Sequence, residues 1–159
     1  MLPRLVGAPI RVEIRRSLGS HLAGASIPGR LILLDAAVLA RRGEFERILI
    51  HELFHFAWVR LSNQKRLAWE QVLAGELRER VKGELGWSAE WRKEILTPAD
   101  PRLRTPKWRR YACESFCDSA AWIFAGLPEH DEFTLAAAPR RLRRRWFTEQ
   151  FSESRPVAV

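Results

Sequence analysis

Apolar and polar positions alternate from Ile10 to Leu18, with Ile10, Val12 and Ile14 separated by Arg11, Glu13 and Arg15. A period of two predicts a half-buried strand. A second apolar run, Leu31 to Leu34, lies between Pro28-Gly29 and Asp35 and is expected to pair with the first. Between them, Gly19 to Gly29 is rich in turn residues and contains His21. Ala36 to Arg42 is short and helical or irregular, and breaks at Gly43.

The period then changes. Glu44 to Leu61 is apolar nearly all round, the pattern of a helix in the core of a domain. Ser62-Asn63 ends it and can cap a successor, in which Trp69, Leu73, Leu77, Val81 and Leu85 recur every four residues. Charged residues from Glu76 to Lys82 occupy the opposite face, so a long amphipathic helix closing at Gly86 is expected. Ser88 to Leu96 forms a short helix stopped by Thr97-Pro98, and residues 97–106 read as a loop. Thr105-Pro106 is a strong helix start, and Gly126 followed by Pro128 a strong stop. A last amphipathic, basic helix runs from Pro139 to about Phe151, and residues 152–159 are expected to be a flexible tail. The sum is an α+β chain of one domain over residues 1–151, with a small N-terminal sheet and a mainly helical remainder. At 159 residues, 47% of them hydrophobic, it can bury one proper core.

The core helix carries His51-Glu52-Leu53-Phe54-His55. Positions i and i+4 lie one above the other on a helix, so both imidazoles can bind one zinc ion from a single rigid element. Glu52 points about 100° away around the axis, where a general base for a metal-assisted hydrolysis belongs. Three polar side chains in an apolar helix would cost several kcal/mol if buried unpaired, a cost that a cation removes.

A catalytic zinc takes three protein ligands and leaves a position open. No histidine occurs between His55 and His130, so the third ligand comes from elsewhere. Glu114, on the helix that begins at Thr105, is the best candidate, and Asp118 at i+4 can accept a hydrogen bond from a ligating imidazole. Tyr111, the only tyrosine, stands one turn before Glu114, and His130 lies in the loop after that helix. Either could stabilise an oxyanion, although the plainer reading makes Tyr111 a half-buried packing residue and His130 a surface loop residue.

His51-Glu52-Leu53-Phe54-His55 together with Glu114-Ser115-Phe116-Cys117-Asp118 resembles the gluzincin zinc metallopeptidases, most closely their small one-domain forms or the related ImmA/IrrE-type peptidases that cleave bacterial repressors. The resemblance implies a zincin-like fold with one zinc ion per chain, held by His51, His55 and Glu114. It implies Glu52 as general base and Asp118 as the residue orienting a histidine. It also implies that Leu31–Leu34 is the edge strand along which an extended peptide pairs. It covers the strand before the motif, the motif helix and the glutamate helix. The interval between His55 and Glu114 is longer than in compact members.

Composition changes this picture in three places. Cys113 and Cys117 stand four apart, poor geometry for a mutual disulfide and not a CxxC pair; they read as small buried residues or free thiols, or with one of them near the metal. Net charge is +8, concentrated in Arg102–Arg110 and in Arg140-Arg141-Leu142-Arg143-Arg144-Arg145. That leaves a regulatory alternative, in which Arg-rich segments bind nucleic acid or a repressor partner, although no nucleic-acid module accompanies them. An inactive zinc-bearing scaffold is a third possibility. Seven tryptophans are read as core filling, with Trp58, Trp69 and Trp122 on core faces. No apolar stretch approaches the ~20 residues needed to span a bilayer, and residues 1–16 lack a signal-peptide core, so a cytoplasmic enzyme acting on a peptide or protein substrate is expected.

Overall fold

A computed structural model of the chain describes residues 2–41, 43–151 and 156–159. The fold is α+β. Strands β1 (Leu5–Val6), β2 (Arg11–Arg15), β3 (Ala23–Ser26) and β4 (Leu31–Asp35) come first. A 3-10 turn at Ala36–Ala40 is capped by the Asp35 carboxylate, which accepts from the Ala37 amide. Helices α1 (Glu44–Arg60), α2 (Asn63–Arg78), α3 (Trp87–Glu94), α4 (Ala99–Leu103), α5 (Pro106–Phe124) and α6 (Ala137–Gln150) follow, and β5 (Val157–Ala158) closes the chain.

β2, β4 and β3 form one sheet in that order, β2 parallel and β3 antiparallel to β4. The two apolar runs therefore pair as expected, Val12 beside Ile32 and Ile14 beside Leu34. Two features differ. Val12 and Ile14 remain exposed, because β2 is the outer strand beyond the cover of α1, whereas Ile32 and Leu34 are fully buried. And Leu31–Leu34 is the central strand, its backbone groups engaged on both sides, so it is not an edge; the edges of this sheet are β2 and β3. β3 lay in the stretch read as turns. Its Ala-Gly-Ala-Ser sequence has low strand propensity, and pairing with β4 makes it a strand.

The two helix starts read from Ser62 and Thr105 are real caps: each hydroxyl accepts from the amide three residues on, Lys65 and Trp108. α2, however, stops at Arg78 rather than running to Gly86. Arg80 turns left-handed (φ 55°), and the Val81 amide reaches back to the Glu76 carbonyl at 2.9 Å. Beyond it, Glu84 pairs through its backbone with Thr134 and Leu135 and sends its carboxylate into the core. The region read as a loop at 97–106 holds the short helix α4.

The core is a layer between the sheet and the pair α1/α5, closed by α2 and α6. Phe54, Trp69, Phe116, Trp146 and Phe147 pack there with ring centroids 5.0–6.3 Å apart, within the range of favourable aromatic pairs. Trp58, Trp69 and Trp122 are buried as expected, while Trp87 and Trp91 are exposed.

The basic run near the C-terminus is not one solvated stripe. Arg143 is fully buried, bonded through Nε and Nη2 to the Glu76 carboxylate (3.0 and 2.6 Å) and through Nη1 and Nη2 to that of Glu84 (2.6 and 3.0 Å). Arg140 donates to the carbonyls of Leu135 and Phe133. Residues 152–155 lie outside the described residues. Val157 and Val159 beyond them are buried, and β5 pairs in parallel with β1, so this end of the segment read as a flexible tail is packed. Among the described residues no helix is long and apolar enough to cross a membrane.

Candidate metal centre

α1 and α5 pack along their length and bring three predicted side chains to one point. Nε2 of His51 and Nε2 of His55 are 3.2 Å apart, and Oε2 of Glu114 lies 3.3 Å from the first and 3.9 Å from the second. In a tetrahedral site with ligands at about 2.05 Å, neighbouring donor atoms stand about 3.3 Å apart. Two of the three separations match a zinc-sized cation, and the third, between His55 and Glu114, is wider.

The outward nitrogens are held from behind. Nδ1 of His51 donates to Oδ1 of Asp118 at 2.7 Å; in the neutral ring Nε2 is then the free acceptor, and in the protonated ring it donates to Glu114. Oδ2 of the same carboxylate accepts from the Ala89 amide at the start of α3. Gly86 sits hard against this carboxylate: its backbone is extended and open to any residue, but a Cβ there would run into the Asp118 carboxyl. Nδ1 of His55 faces Sγ of Cys113 at 3.5 Å. Oε1 of Glu114, the oxygen turned away from the histidines, is 3.5 Å from Arg92. Arg92 is steadied by stacking over Trp91 at 4.2 Å and by donating to the Ser88 carbonyl.

Charge follows geometry. Burial pulls His51 down, but the Asp118 carboxylate and a hydrogen bond to Glu114 carry it well above the ordinary imidazole range. Burial pushes Glu114 up, and His51, His55 and Arg92 together bring it below the ordinary carboxylate range. Glu52 behaves in the opposite way. Burial lifts it above the usual range despite the two histidines. It has no hydrogen bond or ion pair among the described residues, and a carboxylate oxygen lies within 4.8 Å of a ring nitrogen of each histidine. It lines a cleft of about 330 Å³ with His51, His55 and Glu114. β3 lines the same cleft at Gly24 and Ala25.

Tyr111 and His130 are not part of this arrangement. Tyr111 is wholly buried and donates its hydroxyl to Glu84 at 2.5 Å; burial and that carboxylate push its pKa far up. His130 bonds through Nε2 to Glu44 at 2.7 Å and accepts the Glu132 amide at Nδ1. Neither lines the cleft, so the oxyanion role offered to them has no geometric basis. The tyrosine's placement one turn before Glu114 turns its side chain onto the adjacent stripe of α5, toward α6. Arg92 lines the cleft, and His21 lines an adjoining cavity of about 220 Å³ that also contains His51 and Glu52. Neither Arg92, Cys113 as the partner of His55, nor Gly86 stood out in the sequence. On α5 the acid pair at i,i+4 carried the main signal there, beside the alternative that placed one of the two cysteines near the metal. Comparison with protein-family models, with curated proteins and with solved structures finds no match, so the geometry alone carries the functional reading.

Proposed function

We propose that the chain is a zinc-dependent peptidase of zincin type, with His51, His55 and Glu114 as zinc ligands and Glu52 as general base. One observation carries this reading: three lone-pair-bearing atoms from two helices converge at 3.2–3.9 Å with their backs hydrogen-bonded or ion-paired, beside a buried carboxylate that has no partner among the described residues. With both rings neutral these acceptors repel one another, and either a ring proton or a cation between them relieves that repulsion. Two imidazoles and a carboxylate are a donor set suited to zinc.

A zinc ion bound there would supply Lewis acidity, bringing the pKa of a water toward neutrality and polarising a carbonyl. The protein's own residues do the rest. Glu52, lifted by burial above the ordinary carboxylate range, accepts the proton of the attacking water and delivers it to the departing amine. Asp118 and Cys113 hold the two imidazoles in register. The free edge of β3 offers backbone donors and acceptors to an extended peptide lying across the cleft. Arg92, the arginine on the cleft wall, faces the negative charge that develops on the substrate carbonyl.

Of the arginines that the regulatory alternative would use, Arg143 is core and unavailable to a polyanion, whereas Arg141, Arg144 and Arg145 are exposed. The decisive experiment is Glu52→Gln. Zinc content per chain should be unchanged, and cleavage of a peptide library should fall by about 10²–10⁴-fold. Equal cleavage by Glu52→Gln and the parent chain, or no zinc in the parent chain, would refute the reading.

A further inference from the structure

The two cysteines do no chemistry in the reaction proposed above, yet the fold brings both of them to His55. Sγ of Cys113 is 3.5 Å from Nδ1 of His55, the nitrogen turned away from His51 and Glu114. Cys117 follows one helical turn later on α5, and a ring nitrogen of His55 and the two sulfurs all lie within 4.8 Å of one another. A tetrahedral centre with nitrogen at about 2.05 Å and sulfur at about 2.3 Å separates those two atoms by about 3.6 Å. The observed spacing fits that value closely.

We propose that His55, Cys113 and Cys117 form a second metal site, suited to a soft closed-shell ion of the Cu(I) class and joined to the first site through the His55 ring. Thiolate sulfur selects soft ions over hard ones, and two sulfurs at i,i+4 are offered from one rigid helix. Entry is through the cleft, since Cys113 and His55 line it, while Cys117 is buried beneath them. The hydrogen now shared between Nδ1 of His55 and Sγ of Cys113 is replaced by the ion, and the thiol protons leave to solvent. Orienting His55 accounts for Cys113 alone; it does not account for the second sulfur, of Cys117, within the same 4.8 Å group.

The junction with the first site rests on the zinc reading, but the thiolate site does not, and the test separates them. The metal-free chain is titrated with Cd²⁺ while the ultraviolet thiolate-to-cadmium charge-transfer absorbance is followed. The parent chain should develop the band; Cys113→Ala and Cys117→Ala should lose it. His51→Ala, which breaks only the first site, should keep it. Absence of the band in the parent chain, or its persistence in Cys113→Ala, overturns the proposal. Failure of the zinc reading looks different: zinc uptake indifferent to His51→Ala, with the thiolate band intact. A measurement without variants guards against misfolding. Under anaerobic conditions Cu(I) should protect Cys113 of the parent chain from iodoacetamide and Mg²⁺ should not. Alkylation at the same rate with and without Cu(I) also overturns the proposal.

Discussion

Helix α5 serves two buried polar clusters on neighbouring stripes, Tyr111, Ser115 and Ser119 on one and Glu114 and Asp118 on the other. On the first stripe every acceptor meets a donor. Arg143 spans the carboxylates of Glu76 and Glu84, and Glu84 also receives Lys93 at 3.1 Å and the Tyr111 hydroxyl. On the second stripe two imidazole nitrogens and a carboxylate oxygen face one another with no donor among them unless a ring is protonated. Two buried glutamates record the difference. Burial pushes Glu84 up, but Arg143 and Lys93 bring it down to about 2, whereas burial lifts Glu52, which has no such partner, above its ordinary range. Buried charge by itself does not mark a functional site; a cluster that its own side chains leave open does.

Breaking the closed cluster should have the largest effect. Arg143→Ala leaves Glu76 and Glu84 buried against each other, and we expect a loss of about 3–5 kcal/mol in urea unfolding. The comparison predicts that zinc content of the folded fraction stays at that of the parent chain. A stable Arg143→Ala would mean that the carboxylates reach water in a way the fold does not suggest.

Acid tests the same cluster without a mutation. Because the folded pKa of Glu84 lies below its unfolded value, its contribution is present above about pH 4.5 and is lost as pH falls toward about 2. A depression of that size corresponds to about 3 kcal/mol, lost over that window. Glu84→Gln, less stable at neutral pH, should show a shallower decline across it. Parallel stability curves for parent and variant below pH 4.5 would show that Glu84 is not the group being titrated.

The open cluster was far more legible in the sequence than the closed one, for a physical reason. His51, Glu52 and His55 are related by helix geometry alone, and so are Glu114 and Asp118, so local spacing declares each set. Nothing local distinguishes Arg143 from Arg141 or Arg144 in a run of arginines; only the position of α6 against α2 decides which one is swallowed. The same tertiary pull ended α2 early. Val81 and Leu85 continue its four-residue rhythm, but Glu84 must leave the helix to reach Arg143. β3 was missed because small residues make it a strand only in the company of β4 and α1. The loose tail was misjudged where Val157 and Val159 pack, since a partner as distant as β1 leaves no trace in a short segment.

A smaller change sharpens the comparison at the seam between the clusters. Gly86 belongs to the stretch that carries Glu84, yet the group its missing side chain makes room for is the Asp118 carboxylate. That carboxylate cannot retreat freely, because it is fixed between Nδ1 of His51 at 2.7 Å and the Ala89 amide at 3.0 Å. Gly86→Ala should displace it and free the His51 ring to turn. Loss of such an outer partner costs about 10–100-fold in metal affinity. Competition with a chromophoric chelator measures this, and Asp118→Ala gives the reference value. The urea midpoint of Gly86→Ala should move far less than that of Arg143→Ala, since Glu84 and Arg143 keep their bonds. If Gly86→Ala binds zinc as the parent does while Asp118→Ala does not, the loop has yielded and the carboxylate held its place. If both bind as the parent does, Asp118 does not orient His51, and the open cluster owes its geometry to helix packing alone.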